Sequence, residues 1–172
     1  MDSDGDMLVL QFRTGVLADD QEIRLPYGEY AISNSGLQQT IYTPESYVVR
    51  MAGSTQVRWA IKSGAINLAD AGNGLYNLTT KELILEKGQI LDTVEYTMSS
   101  AIKVRDYSTL APSLIGESDD IIDLPFPYMS CAYYGNLYGN GTGNFVVAMA
   151  TKGFIEVESE GTETMTDNPG VY

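Results

Sequence analysis

Apolar and polar positions alternate in short runs through the first 105 residues, and the runs are separated by Gly, Asn, Ser and Pro. Met7–Phe12 is a compact apolar run, and Glu22–Leu25 and Glu29–Ile32 flank a Pro26-Tyr27-Gly28 turn signal. Ser46–Met51 and Thr55–Ile61 follow, divided by Gly53-Ser54. In the second of these, Val57, Trp59 and Ile61 oppose Gln56, Arg58 and Lys62, the period-2 pattern of a half-buried strand. Ala65–Leu68, Gly74–Asn77 and Glu82–Leu85 are further short strands, and Lys87-Gly88 turns the chain into Ile90–Met98. Many short segments with turn residues between them predict a small sandwich or a barrel-like sheet. No internal repeat survives alignment of the segments with one another.

The pattern changes in the last third. Tyr107–Asp123 reads as a loop, with Asp123 placed to cap a helix that tolerates Pro125 in its first turn. That helix is predicted over Tyr128–Tyr138, where Tyr128, Cys131, Gly135 and Tyr138 share a stripe. Gly139–Gly143 ends it. Asn144 then caps a second candidate helix, Phe145–Glu158, although Val146-Val147 leave a strand open there. The expected fold class is therefore α+β: a β-rich N-terminal two-thirds followed by one or two short C-terminal helices. Residues 1–105 form the β-rich part, and residues 106–172 form an acidic loop, a helical part and an extended tail.

Composition narrows the functions available. The chain carries 23 acidic and 10 basic residues, a net charge of −13. Residues 106–172 hold ten acids against Lys152 alone, so nine of those negative charges sit in the last third. Tight binding to a phosphate backbone runs on clustered Lys and Arg, and is not expected. Solubility and repulsion of an anionic polymer both account for the surplus. No apolar run approaches the roughly 20 residues of a membrane span. The opening Met-Asp-Ser-Asp-Gly-Asp lacks the basic start of a signal peptide, so secretion is not expected.

The chain contains no histidine, which removes the commonest general base and metal ligand. Cys131 is the only cysteine and reads as a buried, inert thiol. Asp2–Asp6 begins like a calcium loop, but Met7 and Arg13 stand where the loop needs Gly and Glu. Asp119-Asp120 with Asp123 reads as a solvated turn rather than a cation site, and no catalytic residue, metal or cofactor is expected. Twelve tyrosines against four phenylalanines suit sheet surfaces, subunit interfaces or a sugar site.

Residues 88–158 resemble the C-terminal part of head–tail connector (adaptor or neck) proteins of tailed bacteriophages. The pieces are Gly88–Tyr96, Leu110-Ala111-Pro112-Ser113-Leu114, Asp120-Ile121-Ile122-Asp123-Leu124-Pro125, Tyr128–Tyr138 and Phe145–Phe154, in that order. Trp59, ahead of a short hairpin, also suits the family. The resemblance implies a structural virion protein, a subunit of a homo-oligomeric ring, typically of twelve copies, joining portal to tail and lining the DNA exit channel. Asp119, Asp120, Glu156 and Glu158 would face the channel, and Tyr128, Tyr133, Tyr134 and Tyr138 would contact neighbouring subunits. A capsid decoration or cement protein is the alternative within that class, and a β-sandwich carbohydrate-binding module is the alternative outside it.

Overall fold

A computed structural model describes residues 6–18, 21–52, 55–73, 75–102, 104–109 and 129–150. Of these residues 69% lie in strands, and the helical content is a single 3-10 turn at Thr43–Glu45. The strands are β1 (Asp6–Gly15), β2 (Gly28–Ser33), β3 (Thr40–Tyr42), β4 (Tyr47–Ala52), β5 (Thr55–Gly72) and β6 (Leu75–Lys87). They continue as β7 (Ile90–Val94), β8 (Thr97–Ala101), β9 (Val104–Asp106), β10 (Met129–Tyr133) and β11 (Thr142–Ala150).

One edge of β1 carries β4 along its first half and β3 along its second. β3 pairs with β2 in parallel, β2 with β5, and β5 with β4, so five strands close a barrel. The other edge of β1 takes β11 from Met7 to Gly15, and β10 and β9 extend the sheet beyond it. On the far side β6 pairs with β5, then carries β7 and β8 along its free edge.

The core lies inside this curl. Leu8, Leu10 and Phe12 of β1 enter it with Tyr30, Ile41, Val48, Ile66, Leu78, Leu85, Phe145 and Val147. In β5 the inward parity changes from Ile61 to Ile66 and Leu68, and in β6 from Tyr76 and Leu78 to Leu83 and Leu85. Both changes occur at paired irregularities, with register shifts at Ile61/Ser63 and Ser63/Ala65 opposite Glu82, whose φ is +46°. A bulge re-aims the side chains, so one long hairpin bends around the core and keeps it covered along its length. Gly64 (φ +128°) sits at this bend, where a Cβ would lie 2.9 Å from the Glu82 carbonyl oxygen.

The expected α+β class is wrong for the last third. Tyr128–Tyr138 contains strand β10 and a glycine turn, and Phe145–Glu158 begins with strand β11. In β11, Phe145, Val147 and Met149 face the main core, while Ala148 and Ala150 join Met7, Val9, Tyr47 and Val49 in a second cluster on the opposite face. A strand buried on both faces is apolar at every position, so it satisfies a helical stripe as readily as a period of two. The β-branched Val146-Val147 pair then favours the extended chain. Gly135, Gly139 and Gly141 adopt φ of +57°, +65° and +78° in the turn between β10 and β11, a conformation that stops a helix. Asn144 does not cap a helix. It is a fully buried strand residue whose Nδ2 donates to the carbonyls of Gly135 and Thr142. The Asp123 cap lies outside the described residues.

Candidate functional site

Half of the described tyrosines are interior residues. Tyr30, Tyr47, Tyr76, Tyr133 and Tyr134 are all less than a tenth exposed. The Tyr30 hydroxyl donates to the Pro26 carbonyl at 2.7 Å, and that of Tyr133 accepts from the Leu17 amide. Burial pushes the phenols of Tyr47, Tyr76 and Tyr134 up to about 12, and raises Tyr30 further. Burial likewise raises the Cys131 thiol, so it is held protonated and unreactive as the sequence suggests. No cluster of three or more acidic, cysteine or histidine residues suited to a metal occurs among the described residues.

Two arginines organise the polar structure. Arg50 on β4 binds Asp92 of β7 through Nη1 and lies 3.4 Å from buried Asp6 through Nε, while the Tyr96 hydroxyl donates to Asp6. Its guanidinium also sits 5.3 Å from the Trp59 ring centroid. Arg50 thus fastens β7 and the β7–β8 link across to β1 and β4, and its hydrogen bond holds the Asp92 carboxyl below the usual carboxylate range.

Arg13 is different. It projects from β1 on the face opposite the main core, beside Gln11 and opposite Asn144 of β11. The Tyr42 and Tyr138 ring centroids each lie 4.2 Å from its guanidinium carbon, two close cation–π contacts on one charge. Arg13 is 2% exposed, and Nη1 reaches Thr142 Oγ1 at 3.4 Å. Among the described residues no carboxylate lies within ion-pairing distance of it, and its Nε makes no hydrogen bond. Gln11 Oε1 and Asn144 Oδ1 are also buried without a hydrogen-bond partner among the described residues. Burial lowers the Arg13 pKa, opposed by Tyr138, Tyr42 and Glu45.

Thr142 links this cluster to a cleft of about 570 Å³ between the β2–β3 loop and the β10–β11 turn, lined by Ser35, Gly36, Leu37, Gln38, Asn140 and Gly141. Gln38 Nε2 donates across it to the Gly141 carbonyl at 3.4 Å. Leu37 (66% exposed) and Tyr138 (48% exposed) belong to the two segments that form this end of the molecule, and Val16 follows β1 there. A second apolar exposure, Ile90 and Leu91, lies at the start of β7.

Of the residues singled out from sequence, Asp119, Asp120, Glu156, Glu158 and Tyr128 lie outside the described residues. Tyr133 packs on Phe145 with ring centroids 4.5 Å apart, and Tyr134 stacks on Tyr107. Both are buried in the chain's own fold, which leaves Tyr138 as the exposed one of the three. Arg13 and Gln11 were not singled out. Their only sequence signal is two long polar residues inside the run from Met7 to Thr14, on a strand buried from Asp6 to Thr14. No family model, curated protein or solved structure matches the chain.

Proposed function

We propose that this chain is a noncatalytic assembly subunit, a ring-forming component of the neck of a tailed virion that joins portal to tail. The observation that carries the assembly reading is the placing of its exposed apolar residues. Leu37, Tyr138 and Val16 gather on three neighbouring segments, and Ile90 and Leu91 lie on edge strand β7 at one end of the sheet order. Two distinct apolar patches on one chain suit a head-to-tail contact, and such contacts close into rings when the rotation permits. The sequence resemblance of residues 88–158 supplies the virion setting, and the first of its pieces, Gly88–Tyr96, contains edge strand β7. Absence of histidine and protonated, buried Cys131 and tyrosine side chains support a role without chemistry.

Mass measurement by sedimentation over a wide concentration range tests this. The wild type is expected to form a closed ring, while Leu91→Lys and Leu37→Lys each stay monomeric. Mixing the two variants restores one intact contact and yields a dimer. A wild type that stays monomeric throughout, or a two-fold dimer abolished by one variant and indifferent to the other, would sink the reading. A trimer would favour capsid cement over the neck.

A further inference from the structure

The polar cluster around Arg13 has a composition that folding alone does not explain. A buried guanidinium ordinarily has a carboxylate partner, because taking an unpaired charge out of water is strongly unfavourable. Here two aromatic faces and one long hydrogen bond to Thr142 surround the charge, and the Nε–H has no acceptor among the described residues. The nearby acceptors Gln11 Oε1 and Asn144 Oδ1 have no donor among the described residues. The ring that covers Arg13 from outside, Tyr138, is half exposed, is anchored by one 3.4 Å hydrogen bond from Gln11 Nε2, and sits in a turn with left-handed glycines at 135, 139 and 141.

We propose that this end of the barrel is a receptor for a single carboxylate, with Arg13 as the counter-charge and Tyr138 as a cover that swings aside to admit it. The guanidinium offers Nε and an Nη side by side, the fork that takes a carboxylate bidentately. One cation on a chain of net charge −13 matches one negative charge, which selects a carboxylate over a phosphate dianion. The two acceptors without donors select a ligand that carries a hydroxyl or ammonium beside its carboxylate. The cleft lined by Leu37, Asn140 and Thr142 gives the approach. The carboxylate comes either from a small acid in solution, a source that does not depend on the assembly reading, or from an acidic side chain of a second copy of this chain, a source that rests on it.

The Arg13 Nε–H resonance in proton–nitrogen correlation spectra, assigned by its loss in Arg13→Gln, reads the site directly. Glycolate, acetate and chloride are titrated at constant ionic strength, and protein concentration is varied without additive. A saturable shift with glycolate, at least about tenfold tighter than with chloride, supports a small-acid site, with acetate weaker than glycolate. The same shift on raising protein concentration, together with a rise in mass, supports the second-copy source. Tyr138→Ala keeps Arg13 in place and is expected to bind glycolate at least as tightly, with faster solvent exchange at Nε–H. No saturable shift in either the wild type or Tyr138→Ala, in both arms, or an equal response to chloride, overturns the proposal.

Discussion

Raising the pH past the ionisation of free tyrosine puts a load on this fold that few domains carry. An unfolded tyrosine ionises near pH 10. In the folded chain Tyr47, Tyr76 and Tyr134 wait until about 12, and Tyr30 and Tyr96 are raised further still. Desolvation is the main cause at each, and at Tyr96 the Asp6 carboxylate adds to it. Because the folded values lie above the unfolded ones, these groups leave stability untouched below pH 10 and erode it as pH climbs from 10 towards 12. In that window the unfolded chain releases up to five more protons than the folded one. Each proton is worth about 1.4 kcal/mol per pH unit, so stability falls by up to ~7 kcal/mol per unit. A domain with roughly 5–15 kcal/mol in hand is therefore lost within about two pH units. Tyrosinate absorbance and far-ultraviolet circular dichroism, followed together, test this. Tyrosinate from Tyr30, Tyr47, Tyr76, Tyr96 and Tyr134 is expected only as the dichroism is lost. The buried set then ionises in one cooperative step with the collapse of the sheet, and Tyr76→Phe makes that step shallower by about one proton. If these five tyrosines titrate near pH 10 while the dichroism persists, the burial argument is refuted.

The Arg50 node gives a second expectation: Asp6 is 4% exposed and Asp92 46% exposed at the side chain, so the two arms are worth different amounts. Arg50→Ala is expected to cost about 2–4 kcal/mol in urea unfolding, and Asp92→Asn less than about 1 kcal/mol. A coupling between Arg50 and Asp92 larger than that between Arg50 and Asp6 would contradict this. Gly143→Ala forces a Cβ to within 2.5 Å of the Gly15 carbonyl oxygen and 2.7 Å of Thr14 Oγ1, prying β11 from β1. A loss of more than about 2 kcal/mol is expected, whereas Gly72→Ala, with nothing within 4 Å of the new methyl, should cost only the roughly 1 kcal/mol of its left-handed backbone.

Strands with one wet face were legible in the sequence. Thr55–Ile61 alternates as expected, with Val57, Trp59 and Ile61 inward of Gln56, Arg58 and Lys62, and Gly88 turns the chain where its neighbours suggest. Segments that look separate, such as Thr55–Ile61 and Ala65–Leu68, fuse into β5 because Lys62-Ser63-Gly64 is a bend within a strand rather than a loop. Glu22–Leu25 joins no ladder, and its anchor is the fully buried Leu25 rather than a neighbouring strand. Thr40–Tyr42 and Val104–Asp106 are three residues each, too short to carry a period. The small β10 reads as a helix from sequence, and the doubly buried β11 stays open between helix and strand, for the reason that also hid the Arg13 site. Where both faces of a strand are covered, periodicity vanishes, and Gln11 and Arg13 look like the outward positions of an ordinary edge.

The pairing of β1 with β11 bears on how the protein is made. Thr14 meets Gly143, 129 positions away along the chain, and the whole of β1 from Met7 to Gly15 is bonded to that late strand. During translation the first strand leaves the ribosome long before its partner exists, and contacts of such separation slow folding and leave an unsatisfied edge on view. The hairpins β5–β6 and β6–β7 can zip as they emerge, but the barrel's first strand must wait on one side until β11 has been made. The nascent chain therefore passes through a stage in which β3 and β4 shield one flank of β1 and the other invites misassociation.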